Sequence, residues 1–200
     1  NGGNITFNNI VDGDFNFTLN AAGGNVLLGG RLGFNSIGPI AVIGATNVTM
    51  LGNIFAESLS IINANGPIVI TGEMVFNNIT GNSLTINTSS PQATINLQGK
   101  ISASGSVFIQ NTGTFTLSDA ADITLTNGFF TQSGTGPVSL AGDIITTGDT
   151  IALAGVPTIA GGQIVSIPVS SGGSGYLSAP AVTIIGGGGI NATAVANVTN

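Results

Sequence analysis

A three-residue motif with apolar first and third positions recurs about every twenty-two residues, and this period constrains the fold more than any other feature. Ile5-Thr6-Phe7, Val26-Leu27-Leu28, Val48-Thr49-Met50, Ile68-Val69-Ile70, Ile95-Asn96-Leu97, Phe115-Thr116-Leu117 and Val138-Ser139-Leu140 form one series. Their last residues lie 21, 22, 20, 27, 20 and 23 positions apart, and Gly30, Gly52, Gly72, Gly99 and Gly142 each stand two positions beyond. A second series falls between them: Phe17-Thr18-Leu19, Ile40-Ala41-Val42, Leu59-Ser60-Ile61, Leu84-Thr85-Ile86, Val107-Phe108-Ile109, Ile123-Thr124-Leu125 and Ile151-Ala152-Leu153. Each repeat therefore holds at least two strands and a turn. Strands this short bury no core alone, so successive copies must stack, each covering the last. The expected fold is all-β, a parallel β-helix, or β-solenoid, of about seven coils.

No helix competes with that reading. Sustained three-four apolar spacing is missing, and β-branched and Gly residues are abundant. Alternation such as Ser83-Leu84-Thr85-Ile86-Asn87 sends one set of side chains inward and the other outward. At about 4.8 Å per rung, seven coils would extend roughly 34 Å. Corners at Ala21-Ala22-Gly23-Gly24, Asn63-Ala64-Asn65-Gly66 and Asn111-Thr112-Gly113 offer residues that tolerate positive φ. Pro67, Pro91 and Pro137 follow such corners, where no ladder donor is needed. The pattern changes at Val156-Pro157-Thr158. Residues 1–157 are expected to form the solenoid and 158–200 a Gly-rich β module or cap, with alternation over 163–170, 181–185 and 192–198. So short a tail is marginal as an independent core and should pack on the last coil or on a neighbour.

Charge narrows the partners. Arg31 and Lys100 are the two basic residues against eight acidic ones, giving a net charge of −6, and charged residues make up 5% of the chain. The surface must be polar yet mostly uncharged, without the cations that neutralise phosphates, so neither nucleic acid nor anionic lipid is an expected partner. Cys and His are absent, which removes disulfides and thiolate or imidazole metal sites. The longest apolar stretches, such as 39–45, fall far short of the roughly 20 residues of a membrane helix, so no membrane insertion is expected. The chain opens on Asn1-Gly2-Gly3 without a basic or apolar leader, so any targeting signal is expected outside it. Sequons at Asn4, Asn16, Asn47, Asn78, Asn87, Asn191 and Asn197 suit a glycosylated surface protein, or follow simply from a composition rich in Asn, Ser and Thr.

Two resemblances add to this reading. With units such as Gly66-Pro67-Ile68-Val69-Ile70-Thr71-Gly72 and Gly136-Pro137-Val138-Ser139-Leu140-Ala141-Gly142, residues 4 to 157 resemble the haemagglutinin-type repeats of filamentous haemagglutinins and other large secreted bacterial adhesins. That resemblance implies a right-handed parallel β-helix, and it carries no binding residue across, because such repeats share packing rather than a catalytic motif. The run Gly172-Gly173-Ser174-Gly175-Tyr176-Leu177-Ser178-Ala179-Pro180-Ala181-Val182-Thr183-Ile184, with the glycines at 186–189, resembles a GGSGYxxAPxVxIxGGGG module. This module is found in tandem in large bacterial surface and phage-associated proteins. It implies an extracellular, repetitive context; a single copy here points to a segment of something longer or to a subunit that repeats by assembly.

Groups able to do chemistry are few. A hydrolase or lyase on a solenoid needs carboxylates or bases gathered on one face of adjacent coils. The acids are Asp12, Asp14, Glu57, Glu73, Asp119, Asp122, Asp143 and Asp149. Asp12 with Asp14, and Asp119 with Asp122, lie close enough to approach a calcium ion, but each pair offers few ligands and reads as a solvated turn. Three positions beyond the strands of the first series, from Val26-Leu27-Leu28 onward, stand Arg31, Asn53, Glu73, Lys100, Ala120 and Asp143. Glu73 and Lys100 then sit on neighbouring rungs, a surface pair worth about 0–1 kcal/mol. The glycines at 172–175 lack the Lys-Ser/Thr of a phosphate loop. Tyr176 either stacks on a sugar or packs against Pro180. Thr114, Thr116, Thr124 and Thr126 do not recur on successive coils, as an ice-binding row would require. Phe129 and Phe130, adjacent in a strand, face opposite sides, leaving one exposed or buried in an interface.

No catalytic, cofactor-binding or metal site is expected, and no cofactor. The chain reads as a non-enzymatic secreted structural protein, part of a bacterial extracellular fibre, sheath or surface adhesin. A solenoid exposes a strand edge at each end that must be capped, buried or paired. The expected partner is a second copy, head to tail, with Gly172, Gly173, Tyr176, Pro180, Phe129 and Phe130 as interface residues. The alternative is an adhesin module for a surface glycan or receptor, which aromatics aligned on adjacent rungs would favour; Phe108 and Phe129-Phe130 are the candidates. A polysaccharide-cleaving enzyme needs a carboxylate cluster that the spacing does not supply.

Overall fold

Alternating apolar side chains leave each short strand needing a neighbour on either side, and the chain answers by coiling. The computed structural model describes residues 2–88, 90–147, 153–154, 156–160, 163–171 and Val195. The chain divides into two units, Asn1–Thr147 and Gly148–Asn200. The first is an all-β parallel solenoid of about six turns.

The at least two strands expected per coil are three in each coil from Val26 to Gly134; the first coil has two, with Val11 bridging Leu32 where its third would lie. In chain order the strands are β1 (Ile5–Phe7), β2 (Phe17–Asn20), β3 (Val26–Leu28), β4 (Leu32–Ile37), β5 (Ile40–Ile43), β6 (Val48–Met50) and β7 (Ile54–Ala56). Next come β8 (Leu59–Ala64), β9 (Ile68–Ile70), β10 (Met74–Phe76), β11 (Asn82–Thr88), β12 (Ile95–Leu97) and β13 (Ile101–Ala103). The unit closes with β14 (Ser106–Asn111), β15 (Phe115–Leu117), β16 (Ile123–Leu125), β17 (Phe130–Gly134), β18 (Val138–Leu140) and β19 (Ile144–Thr146). Face A stacks β1, β3, β6, β9, β12, β15 and β18; face B stacks β4, β7, β10, β13, β16 and β19; face C stacks β2, β5, β8, β11, β14 and β17. The seven rungs of face A span six steps, roughly 29 Å at about 4.8 Å each.

Face A follows the first sequence series throughout, with Ile5 opposite Val26, Val26 opposite Val48, and so on to Phe115 opposite Val138. Face C follows the second series as far as Val107, then departs from it. Its next strand is β17, where Phe130 pairs with Val107, whereas Ile123-Thr124-Leu125 pairs with Ile101-Ser102-Ala103 on face B. β17 escapes an apolar pattern because Gln132 occupies the place opposite Ile109. Its amide donates to Asn111 Oδ1 at 2.7 Å and to its own chain at Ser133 O, 3.0 Å away.

Inward positions of the internal rungs are apolar and covered. Val48, Met50, Ile68, Ile70, Leu97, Phe115 and Leu117 are 0% exposed, and each such burial contributes about 1.5–3 kcal/mol. Buried polar residues gather at the ends of face C and are bonded there. Asn111 Nδ2 donates to Gly113 O at 2.8 Å, and Ser83 Oγ accepts the Gly105 N–H at 2.9 Å.

Corners are made in two ways. Ala22, Asn63 and Gly23 take positive φ, as expected of their corners. Gly113 does not; its value is proximity, since a Cβ there would lie 2.8 Å from the carbonyls of Pro91 and Ala93. Between faces A and B, Gly52, Gly72 and Gly99 form a column in which a Cβ on each would come under 3.0 Å of the backbone carbonyl of the glycine one rung earlier. One position further along the same corner runs a polar row. Asn53 Oδ1 accepts the Glu73 N–H at 3.0 Å, and Asp122 Oδ1 accepts that of Asp143 at 3.1 Å. Glu73 and Lys100 hold neighbouring places in it, ahead of paired Met74 and Ile101. The next place belongs to Asp122 rather than Ala120, because the turn closed by Ala121 N–H to Ser118 O lengthens that corner.

In the second unit, β20 (Leu153–Ala154) pairs antiparallel with β23 (Val169–Ser171), and β21 (Thr158–Ala160) with β22 (Gln163–Ser166). Leu153 therefore does not continue the second solenoid series. The segments expected at 181–185 and 192–198 lie outside the described residues, Val195 excepted.

Candidate functional site

Among the described residues, part-exposed apolar side chains on the first and last rungs and a cleft at one corner give the solenoid surface with shape. At its first rung, Phe7 and Phe17 occupy inward positions opposite Leu28 and Ile40. Their rings meet edge to face at 5.5 Å, and Phe15 packs against Phe17 at 6.2 Å. This aromatic cluster only part-covers the rung: Phe7 is 37% exposed, against 0% for Leu28. At the other end Val138 and Leu140 are 42% and 48% exposed, whereas their partners Phe115 and Leu117 are wholly buried.

The cleft arises from unequal coils. Five positions separate Leu32 from Ile37 where two separate their partners Ile54 and Ala56, so the coil starting at Val26 bulges outward on face B. Gly33, at φ +74°, makes the bend that begins this bulge. Eight positions separate Phe76 from Leu84 where three separate their partners Ala56 and Leu59, so the coil starting at Ile68 protrudes at the next corner. The intervening coil takes the short path. Its Glu57 forms the floor of a cleft of about 570 Å³, walled by Asn35, Ser36 and Gly38 on one side and by Asn77, Asn78, Ile79 and Thr80 on the other, with Asp14 also lining it.

Both walls are braced. Arg31 lies between the rings of Phe34 and Phe55, 5.0 and 4.9 Å from their centroids, and donates to Gly33 O at 2.8 Å and Phe34 O at 3.1 Å. Asp12 Oδ1 accepts the Phe34 N–H at 2.7 Å. Opposite, Asn78 Oδ1 accepts the Thr80 N–H at 3.0 Å and Asn78 Nδ2 donates to Asn82 O at 3.4 Å. Asn77 Nδ2 reaches Ser36 Oγ at 3.4 Å, bridging the walls.

The residues singled out in the sequence scatter. Phe130 turns inward and stacks on Phe115 at 6.5 Å, while Phe129 is 52% exposed. Phe108 pairs with Thr131, and Phe129 falls one place before paired Phe130, level with Ser106, so these aromatics form no row. Gly172, Gly173, Tyr176 and Pro180 lie outside the described residues. Asp12 is engaged in the bulge and Asp14 in the cleft, and Asp122 in the corner row, so neither acidic pair acts as a unit. Among the described residues no three acidic side chains converge to hold a metal. The sequon at Asn47 is tied into the solenoid, its Nδ2 donating to Asn25 Oδ1 at 2.8 Å. No described helix is long and apolar enough to cross a membrane. The trace of the cleft in the sequence is the 27-residue interval beside the 20-residue one. No protein-family model, curated protein or solved structure matches the chain.

Proposed function

We propose that this is a non-enzymatic, secreted structural protein of a bacterial extracellular fibre, sheath or surface adhesin, which associates head to tail by continuing its own rungs. The observation that supports this reading is the part-exposed apolar side chains on the first and last rungs of face A, Phe7, Val138 and Leu140, in a stack whose register runs unbroken along that face. A second copy set with its first rung on the last would place Ile5 against Val138 and Phe7 against Leu140, as every internal rung does. The extracellular setting rests on the resemblance to secreted adhesin repeats and on a surface almost free of charge.

Magnitudes say how tight such contact can be. Covering three half-exposed side chains contributes about 1 kcal/mol each, whereas association costs about 4–15 kcal/mol. The rest must come from ladder bonds on three faces, so assembly should depend steeply on concentration. Cryo-electron microscopy and sedimentation across a concentration series test this. Filaments of fixed axial repeat are expected from the native chain and their loss from Leu140→Lys, which places a charge in the joint while the interior stays intact. Monomers at every concentration, or filaments indifferent to Leu140→Lys, would overturn the reading.

A further inference from the structure

We propose that the cleft above Glu57 is a binding site for a non-acidic sugar, and that it favours one carrying an amine. The proposal does not depend on assembly, because the cleft is built within three consecutive coils, with Asp14 reaching it from the coil before.

Size, lining and charge point the same way. A cleft of about 570 Å³ has room for a sugar ring, and being open to solvent and lined mainly by exposed residues it would hold that ring by one face. Its lining is a set of short polar side chains; Asn78, Thr80 and Ser36 are partly engaged within and across the walls, while among the described residues the Asn35 amide and Asn77 Oδ1 make no hydrogen bond and between them can both donate and accept. Hydroxyl groups of a sugar ring need that mixture. Ile79, 70% exposed on one wall, offers an apolar surface for the C–H face of such a ring. Asp14 and Glu57 add acceptors alone, and no basic residue lines the cleft to balance them. Phosphate, sulfate and uronic acids are therefore repelled, while a protonated amine is drawn in. The bracing by Arg31 and Asp12 holds the bulge wall in place before any ligand arrives, so little ordering accompanies binding.

The test is titration of the full chain, followed by NMR or calorimetry, with four probes: a glucosamine trimer, its N-acetylated counterpart, cellotriose and glucuronic acid. Binding should weaken in that order, with no response to glucuronic acid. Glu57→Gln and Asp14→Asn, both at exposed positions, should each weaken the glucosamine trimer about tenfold and leave cellotriose nearly unchanged. Added salt should weaken the amine-bearing probe alone. No binding of any probe, glucuronic acid binding as well as the others, or affinities untouched by both variants would overturn the proposal. Circular dichroism identical to the native chain shows that the variants fold.

Discussion

Substituting alanine for Gly72 tests whether glycine recurs at the A-to-B corners of successive rungs because those rungs touch backbone to backbone. A Cβ on Gly72 would come under 3.0 Å of the Gly52 carbonyl, and neither partner is the end of a flexible side chain. Ordinary contact needs about 3.5 Å, so the rungs must part by something on the order of 1 Å, against a spacing of about 4.8 Å that the ladders on all three faces enforce. Overpacking of this kind costs about 1–3 kcal/mol. Alanine also lowers the entropy of the unfolded chain, which returns about 0.4–1 kcal/mol. The net expectation is a loss of about 1–2 kcal/mol, a fall in Tm of roughly 2–8 °C.

Gly29 supplies the control. It lies one residue before Gly30 at the corresponding corner, has no positive φ, and a Cβ there would meet its nearest neighbour at 3.5 Å, an ordinary contact. Gly29→Ala should be neutral or slightly stabilising. Thermal and urea unfolding followed by circular dichroism compare the two. If Gly72→Ala melts with the native protein, or if Gly29→Ala costs as much, close approach is not what selects glycine at these corners.

Two further outcomes follow from the same geometry. Asn111→Ala should cost about 1–3 kcal/mol in urea unfolding, because it strips partners from the Gly113 carbonyl and the Gln132 amide inside face C; Gln132→Leu made together with it should restore much of the loss. Arg31→Ala should loosen the bulge, seen as faster amide exchange at Phe34 with at most about 2 kcal/mol lost overall.

How much of this could be read in advance differs from face to face. Face A was legible because both inward positions of every triplet are apolar and a fixed glycine follows most of them. Face B was not, because its strands lose the second large apolar position: Ile54-Phe55-Ala56 and Ile101-Ser102-Ala103 end on a small residue, and five positions separate inward Leu32 and Ile37. That omission misassigned Ile123, whose triplet has the look of a face C strand while the true one starts with a single Phe before Thr131 and Gln132. A constant offset from face A likewise returned Ala120 where the longer corner puts Asp122.

The cleft was invisible for a related reason, and the reason bears on where function resides in such a fold. A perfectly periodic solenoid has flat faces, and a ligand meets there only what three or four aligned side chains provide. Concavity requires two coils to bulge at one corner with a short coil between them. The interval of 27 residues showed that one coil was longer, but its extra residues had three corners to occupy. The bulge after Leu32 hardly altered its coil's length of 22, because the other corners of that coil are tight. Only the third face fixes which corners coincide. Uniform rungs, held by the glycine column and the apolar interior, supply a rigid frame; the departures from period supply a surface with shape. Here those departures gather Asp14 and Glu57, two of the chain's eight acids, in one depression, while Glu73, Asp122 and Asp143 stand apart in the A-to-B corner row. Replacing residues 77–83 with the two-residue link of the short coil, Glu57-Ser58, would remove one wall, abolish sugar binding and leave the rungs stacked. Unfolding of that variant would mean instead that the protrusion is part of the frame.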